Sequence, residues 1–140
     1  MFSPDQYELI DFGNGRKLER FGHVTIDRPS PPAAFESRAY PDKWLVADLR
    51  YDRNGEQQGN WSCLNPSLDI DVEPDGSDFP EWNLSFHDAV SFQLKLTPFG
   101  HVGVFVEQAR NWSWIRDQIH RQTRRRVDEV RILNLFAYTG

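Results

Sequence analysis

The hydrophobic period of this chain changes twice, and that change limits the folds open to it. Where a pattern is visible between Tyr7 and Leu96, apolar residues recur every second position, as in half-buried strands. After Gln108 the spacing becomes helical, with Trp112, Ile115 and Ile119 at i, i+3 and i+7. From Val130 to Phe136 the chain is almost continuously apolar. A strand of that last kind is covered on both faces, as in a parallel α/β sheet. The pattern predicts an α+β chain: a β-rich region first, one helix, then the opening strand of a different sheet.

The β-rich region divides at its turn signals. Tyr7–Phe12 and Arg16–Phe21 flank Gly13-Asn14-Gly15, and Asn-Gly favours a tight hairpin because both residues accept positive φ. His23–Asp27 predicts a third strand, ended by Pro29-Ser30-Pro31-Pro32. Lys43–Ala47 and Trp61–Leu64 are short candidate strands, with Tyr51–Gly59 a turn or hairpin tip between them. Val72–Asp78 is an acidic loop rich in turn formers. Glu81–Phe86 and Phe92–Leu96 alternate cleanly and predict a second antiparallel hairpin, with Trp82, Leu84 and Phe86 on one face. Gly103–Val106 is a further short strand, and the helix is expected from about Gln108 to Thr123.

Charge is uneven. Residues 110–131 hold seven arginines against three acids and carry +4, whereas the rest of the chain carries −9. A solvated helix face accounts for such a stretch; so does local attraction of phosphates, because the field near a patch follows its nearby charges. Cys63 is the single cysteine, which excludes an internal disulfide framework and a multi-cysteine metal site. It reads as a structural thiol. His23, His101 and His120 lack metal-ligand spacing, and His87-Asp88 falls at a hairpin turn without a partner nucleophile. No apolar run approaches the ~20 residues of a membrane span, and Met1–Asp5 has no secretory character. A cytoplasmic protein is expected. Any of Trp44, Trp61, Trp82, Trp112 and Trp114 could stack on bases; Trp82 and Trp112 fall on apolar stripes, and Trp61 and Trp114 are the better candidates for an exposed role.

Two stretches, Leu94–Trp112 and Ile132–Gly140, together with Asp11–Gly22 and Asp27-Arg28-Pro29, resemble one family. It is that of class I S-adenosylmethionine-dependent methyltransferases related to the ribosomal RNA large-subunit enzymes that modify 23S bases. The resemblance implies an antiparallel β-rich accessory domain over 1–106 that helps position RNA, and a linking helix over 107–126. It also implies, over 127–140, the first strand and glycine turn of a truncated Rossmann-like domain. It implies S-adenosyl-L-methionine as cofactor, with Tyr138, Thr139 and Gly140 matching the start of the cofactor turn. Phe105, Glu107, Gln108 and Asn111 match a motif that closes over the cofactor pocket. Val106 stands where many relatives carry proline.

The acidic residue expected ~20 residues beyond the glycine turn, and the later catalytic motif, have no counterpart. The expectation is therefore the amino-terminal part of an RNA methyltransferase, inactive alone, without catalytic residues or a metal. Its RNA contacts would run through Arg116, Arg121, Arg124, Arg125 and Arg126, and its unpaired final strand would allow self-association. The alternatives are a stand-alone RNA-binding module and a protein-interaction module.

Overall fold

A computed structural model describes residues 1–55, 58–68, 72–76, 79–87, 90–124 and 129–133. The chain divides into two units, Phe2–Val106 and Glu107–Gly140, the latter grouped with Met1.

The first unit is built on a five-stranded sheet in sequential order: β1 (Tyr7–Gly13), β2 (Arg16–Phe21), β3 (Val24–Pro29), β4 (Leu49–Arg53) and β5 (Gly59–Cys63). The β1–β2 hairpin turns on Asn14 and Gly15, at φ +53° and +74°, as the Asn-Gly signal predicts. A second sheet pairs β6 (Trp82–Phe86) with β7 (Val90–Leu94), placing Trp82 opposite Leu94 and Leu84 opposite Phe92. Trp82, Leu84 and Phe86 are buried, as their alternation requires. The β6–β7 sheet meets the large sheet through aromatic contacts: Trp82 stands edge-on to Phe21, and its indole donates to the Phe21 carbonyl.

One pairing departs from the expected antiparallel region. β3 and β4 run parallel, Ile26 beside Leu49. The chain between them crosses over in two 3-10 turns, Pro31–Ala33 and Pro41–Val46. The second replaces the strand expected at Lys43–Ala47. Pro41 supplies a helical φ with no N–H to satisfy, and Trp44 is drawn to the sheet by a partner remote in sequence. That partner is Asp11. Its carboxylate accepts the Trp44 indole N–H at 2.8 Å, the amides of Tyr40 and Ala39 at 2.9 and 3.1 Å, and the Phe12 amide at 2.9 Å. Trp44 then packs with Leu18, Ala47 and Ile10. Asp48 closes the crossover, accepting the Thr25 amide and the Asn65 side-chain amide, both at 2.7 Å.

On the opposite face Glu19 is fully buried and is held by Arg28 at 2.6 Å, Lys17 at 3.0 Å and the Tyr7 hydroxyl at 2.9 Å. Tyr51 and Trp61, opposite one another on β4 and β5, are buried with ring centroids 5.0 Å apart. Of the expected tip, Tyr51–Arg53 therefore belongs to β4 and Gly59 to β5, and Glu56 and Gln57 lie outside the described residues. Cys63 is half-buried, its thiol 3.3 Å from the Asn65 carbonyl.

The second unit contains α1 (Ala109–Arg124), with Arg116, His120 and Arg124 exposed as the wheel predicts. The 3-10 turn Val106–Gln108 precedes it, and Gly103 at φ +88° breaks the strand expected at Gly103–Val106. Residues 129–133 form no strand, and Ile132 and Leu133 are exposed; the remainder of the expected final strand lies outside the described residues. An apolar segment gains strand geometry only from neighbours that take its backbone hydrogen bonds, and none among the described residues does so. No helix among the described residues is long and apolar enough to cross a membrane.

Burial would raise the Asp11 pKa, but the hydrogen bonds from Trp44, Tyr40, Ala39 and Phe12 outweigh it and hold the carboxyl below its ordinary value. A lowered folded pKa adds stability above the unfolded value of about 3.9 and loses it as pH falls through the folded value. Asp11→Ala strands several donors and is expected to cost about 3 kcal/mol in urea unfolding at neutral pH. Asp11→Asn is expected to flatten the acid limb of the stability–pH curve, measured by the same method.

Candidate functional site

The segment carrying most of the expected site residues follows a turn that the sheet fixes from below. At Thr97–His101 the Gly100 amide donates to the Thr97 carbonyl, and the Thr97 hydroxyl bonds both the His101 amide and carbonyl at 3.1 and 3.0 Å. Four donors from the large sheet reach the carbonyls of this turn. The Tyr51 hydroxyl and the Gly59 amide donate to Pro98 at 2.7 and 3.0 Å, the Trp61 indole to Thr97 at 2.8 Å, and Arg28 to Gly100 at 3.0 Å. Gly100 sits at φ +79°, and a Cβ there would lie 2.5 Å from the Tyr51 ring. Only glycine meets both demands.

Arg28 links this turn to the buried Glu19. Burial raises the Glu19 pKa, but the charge and hydrogen bond of Arg28, then those of Lys17, hold it below its ordinary value. Burial pushes the Tyr51 phenol up, so it remains a donor to Pro98.

Beyond the turn, Val102 and Val104 are buried while Phe105 is half-exposed, its ring 5.7 Å from that of His101. In the second unit Glu107, Gln108 and Asn111 are exposed around the start of the helix. The Asn111 side-chain amide donates to the Gln108 side-chain carbonyl at 2.7 Å, the i, i+3 contact that a helical turn permits. The structure thus brings Gln108 and Asn111 together, with Glu107 beside them in sequence. Tyr138, Thr139 and Gly140 lie outside the described residues.

Of the arginines singled out, Arg116 contacts Asp117 at 3.3 Å, and Arg121 and Arg124 are exposed; Arg125 and Arg126 lie outside the described residues. Trp114 is 64 % exposed on α1. Trp61 is not exposed: it is 2 % accessible and serves the Thr97 turn, because its position on β5 faces the covered side of the sheet. His87 is exposed at φ +53°, and Asp88 lies outside the described residues. Among the described residues no cluster of His, Cys, Asp and Glu is placed to hold a metal. A shallow cleft of ≈ 280 Å³ lies between Leu9, Phe12 and Lys17 of the first hairpin and Ser30, Pro32, Ala33 and Glu36 of the crossover. The roles of Arg28, Tyr51 and Trp61 beneath the turn had no local signal; Arg28 stood only within the Asp27-Arg28-Pro29 match.

Comparison with known proteins finds a relative among solved structures. The crystal structure of a SAM-dependent methyltransferase from Agrobacterium tumefaciens matches with a TM-score of 0.65 and 32 % sequence identity. The match covers 81 % of this chain and 32 % of that one, so the chain spans about a third of the relative's length. This supports a methyltransferase relationship. No protein-family model matches the chain, and no curated protein matches it.

Gly100→Ala adds a Cβ against Tyr51 and a left-handed strain of ~1–2 kcal/mol. It is expected to lower stability by about 3 kcal/mol in thermal or urea unfolding, once the steric conflict is added. Trp114→Ala, at an exposed position, is expected to change stability by less than about 0.5 kcal/mol in the same assay.

Proposed function

We propose that this chain is the amino-terminal part of a SAM-dependent methyltransferase that acts on RNA bases, ribosomal RNA first among them. The single observation that supports the methyltransferase part of this reading is the match at 32 % identity over 81 % of the chain to part of a SAM-dependent methyltransferase; the RNA target draws on the family resemblance and on the arginines of α1. The Rossmann-like domain would then begin in the apolar segment after Glu129. S-adenosyl-L-methionine, when bound, supplies a methyl group already activated on a cationic sulfonium.

The residues present fit part of such a cofactor's surroundings. The half-exposed Phe105 ring suits a cation by its π face. In the other unit the exposed Glu107 carboxylate suits a cation, and the Gln108–Asn111 amide pair offers a donor and an acceptor. Tyr138, Thr139 and Gly140 complete the proposed set. These groups bind and orient; none is a general base for the methyl acceptor. Because transfer needs nucleophile, methyl carbon and sulfur aligned, this portion alone is proposed to be inactive.

RNA would meet α1 through Arg116, Arg121 and Arg124, continued by Arg125 and Arg126. The described helix, Ala109–Arg124, contains four arginines and a single acid, Asp117, which supports the assignment electrostatically. The body bears the opposite sign, so the field is local rather than general. A second reading, self-association through the final apolar segment, draws support from the exposure of Ile132 and Leu133.

Isothermal titration of this chain with S-adenosyl-L-methionine is expected to show no tight stoichiometric binding. The coding sequence after Gly140 is expected to supply an acidic residue about 20 residues beyond the glycine turn. A stop codon directly after Gly140 would overturn the reading. The double variant Arg121→Gln/Arg124→Gln is expected to weaken RNA binding and to reduce the salt slope by about 0.7 per cation removed.

A further inference from the structure

The β6–β7 sheet has only two strands, and a lone hairpin is marginal in water unless its apolar face packs on something. Its two ends are secured differently. At one end Trp82, opposite Leu94, stands against Phe21, and the chain beyond β7 runs into the Thr97–His101 turn with its donors from the large sheet. At the other end the segment Phe2–Gln6 lies over the hairpin. The Phe2 ring stands edge-on to Phe86 with centroids 4.9 Å apart, and lies 6.3 Å from Phe92 and 6.3 Å from Tyr7. It thus bridges β6, β7 and β1. The Gln6 side-chain carbonyl accepts the Ser85 amide at 2.6 Å, taking the place of a third strand at that position.

Phe2 and Gln6 are half-buried, whereas Ser3, Pro4 and Asp5 between them are exposed, so only the two ends of the segment reach inward. Arg20 of β2 fastens it from the large sheet. Its guanidinium donates to the Pro4 carbonyl at 2.6 Å, the Asp5 carbonyl at 3.3 Å and the Gly22 carbonyl at 2.8 Å, and it meets the Glu8 carboxylate at 2.9 Å. One planar fork of donors therefore fixes the segment against the β1–β2 hairpin. The Gln6 and Tyr7 amides donate to the Ser3 carbonyl at 2.9 and 3.1 Å, and the Gly22 amide to the Gln6 carbonyl at 2.7 Å. These bonds set the turn that aims Gln6 at Ser85.

We propose that Phe2–Gln6 is a strap, buckled by Arg20, that holds the Ser85, Phe86 and Phe92 end of β6–β7 on the large sheet, and that this end opens as a unit when the strap lets go. The opening is local, because the Trp82–Leu94 end stays seated through Phe21 and the Thr97–His101 turn. Elements with few buried contacts open well below the cost of global unfolding. β7 fits that description, with Val90, Ser91 and Gln93 exposed. Release uncovers the buried Phe86 ring, so the strap controls whether that aromatic face meets solvent. The inference needs neither the cofactor nor α1, so it stands or falls apart from the methyltransferase reading.

The test is amide hydrogen exchange of the full chain under native conditions, read residue by residue by NMR at several low urea concentrations. In the unsubstituted chain the Leu84, Ser85, Phe86 and Phe92 amides are expected to exchange together, faster than those of Leu18 and Ile26 and with a shallower urea dependence. Phe2→Ala is expected to speed that β6–β7 group about tenfold or more, because an edge-on aromatic contact and its buried area are lost. Phe2→Leu, which keeps an apolar plug, is expected to recover most of the protection. Arg20→Gln leaves the ring in place and is expected to speed the same group; if it fails to fold, Phe2→Ala carries the test. Asp11→Asn weakens the crossover and is expected to speed Leu18 and Ile26 while leaving the β6–β7 group unchanged, because a local opening does not pass through global unfolding. Unchanged exchange of that group in folded Phe2→Ala overturns the proposal. So does a group that shares the protection and urea slope of Leu18 and Ile26, which would make β6–β7 part of the global unit.

Discussion

A single buried carboxylate organises the first unit. Asp11 gathers four donors that would otherwise be stranded: an indole N–H, two amides from the crossover and the amide of its own neighbour. A carboxylate with this many donors stays ionised when buried, and each bond to it is stronger than a neutral one. Without it the Ala39–Trp44 part of the crossover loses its ties to β1, and Trp44 has no partner for its N–H. The parallel β3–β4 pair depends on the same arrangement, because the connection between those strands is short on regular structure. Two 3-10 turns, the first tied to the hairpin by the Gly15 amide and the second to Asp11 through Tyr40 and Trp44, do the work that a crossover helix does elsewhere.

The elements legible in the sequence are those with local causes. The Asn14-Gly15 turn, the Trp82–Leu84–Phe86 alternation and the helix from Ala109 follow from positive-φ tolerance and apolar period. The elements misread have distant causes. Lys43–Ala47 has the composition of a strand, but Asp11 lies in another strand and captures Trp44. Trp61 resembled an exposed ring because nothing near it in sequence announced a carbonyl at Thr97. The parallel pairing rests on Asp48 reaching Thr25, which no periodicity encodes.

The candidate site divides in the same way. The Gln108–Asn111 contact is an i, i+3 relation and could be read from spacing. The fixed turn before it could not, since Arg28, Tyr51, Gly59 and Trp61 come from three different strands. Two of the buried carboxylates, Asp11 and Glu19, serve position: one holds the crossover, the other bonds Arg28, which reaches Gly100. Phe105, Glu107, Gln108 and Asn111 are by contrast exposed.

The crossover also has a consequence for how the protein reaches its native state. The Asn14 and Gly15 amides donate to the Glu36 and Ala33 carbonyls, so the connecting segment lies across the tip of the first hairpin. The closed hairpin tip supplies both donors, and the segment that accepts them spans the distance between β3 and its parallel neighbour β4. Local pairing comes early and cheaply, whereas the parallel pair requires closure of a long loop. By that reasoning the local β1–β2 and β4–β5 hairpins are the easily formed parts of the sheet, and the parallel β3–β4 junction that joins them is the entropically costly one.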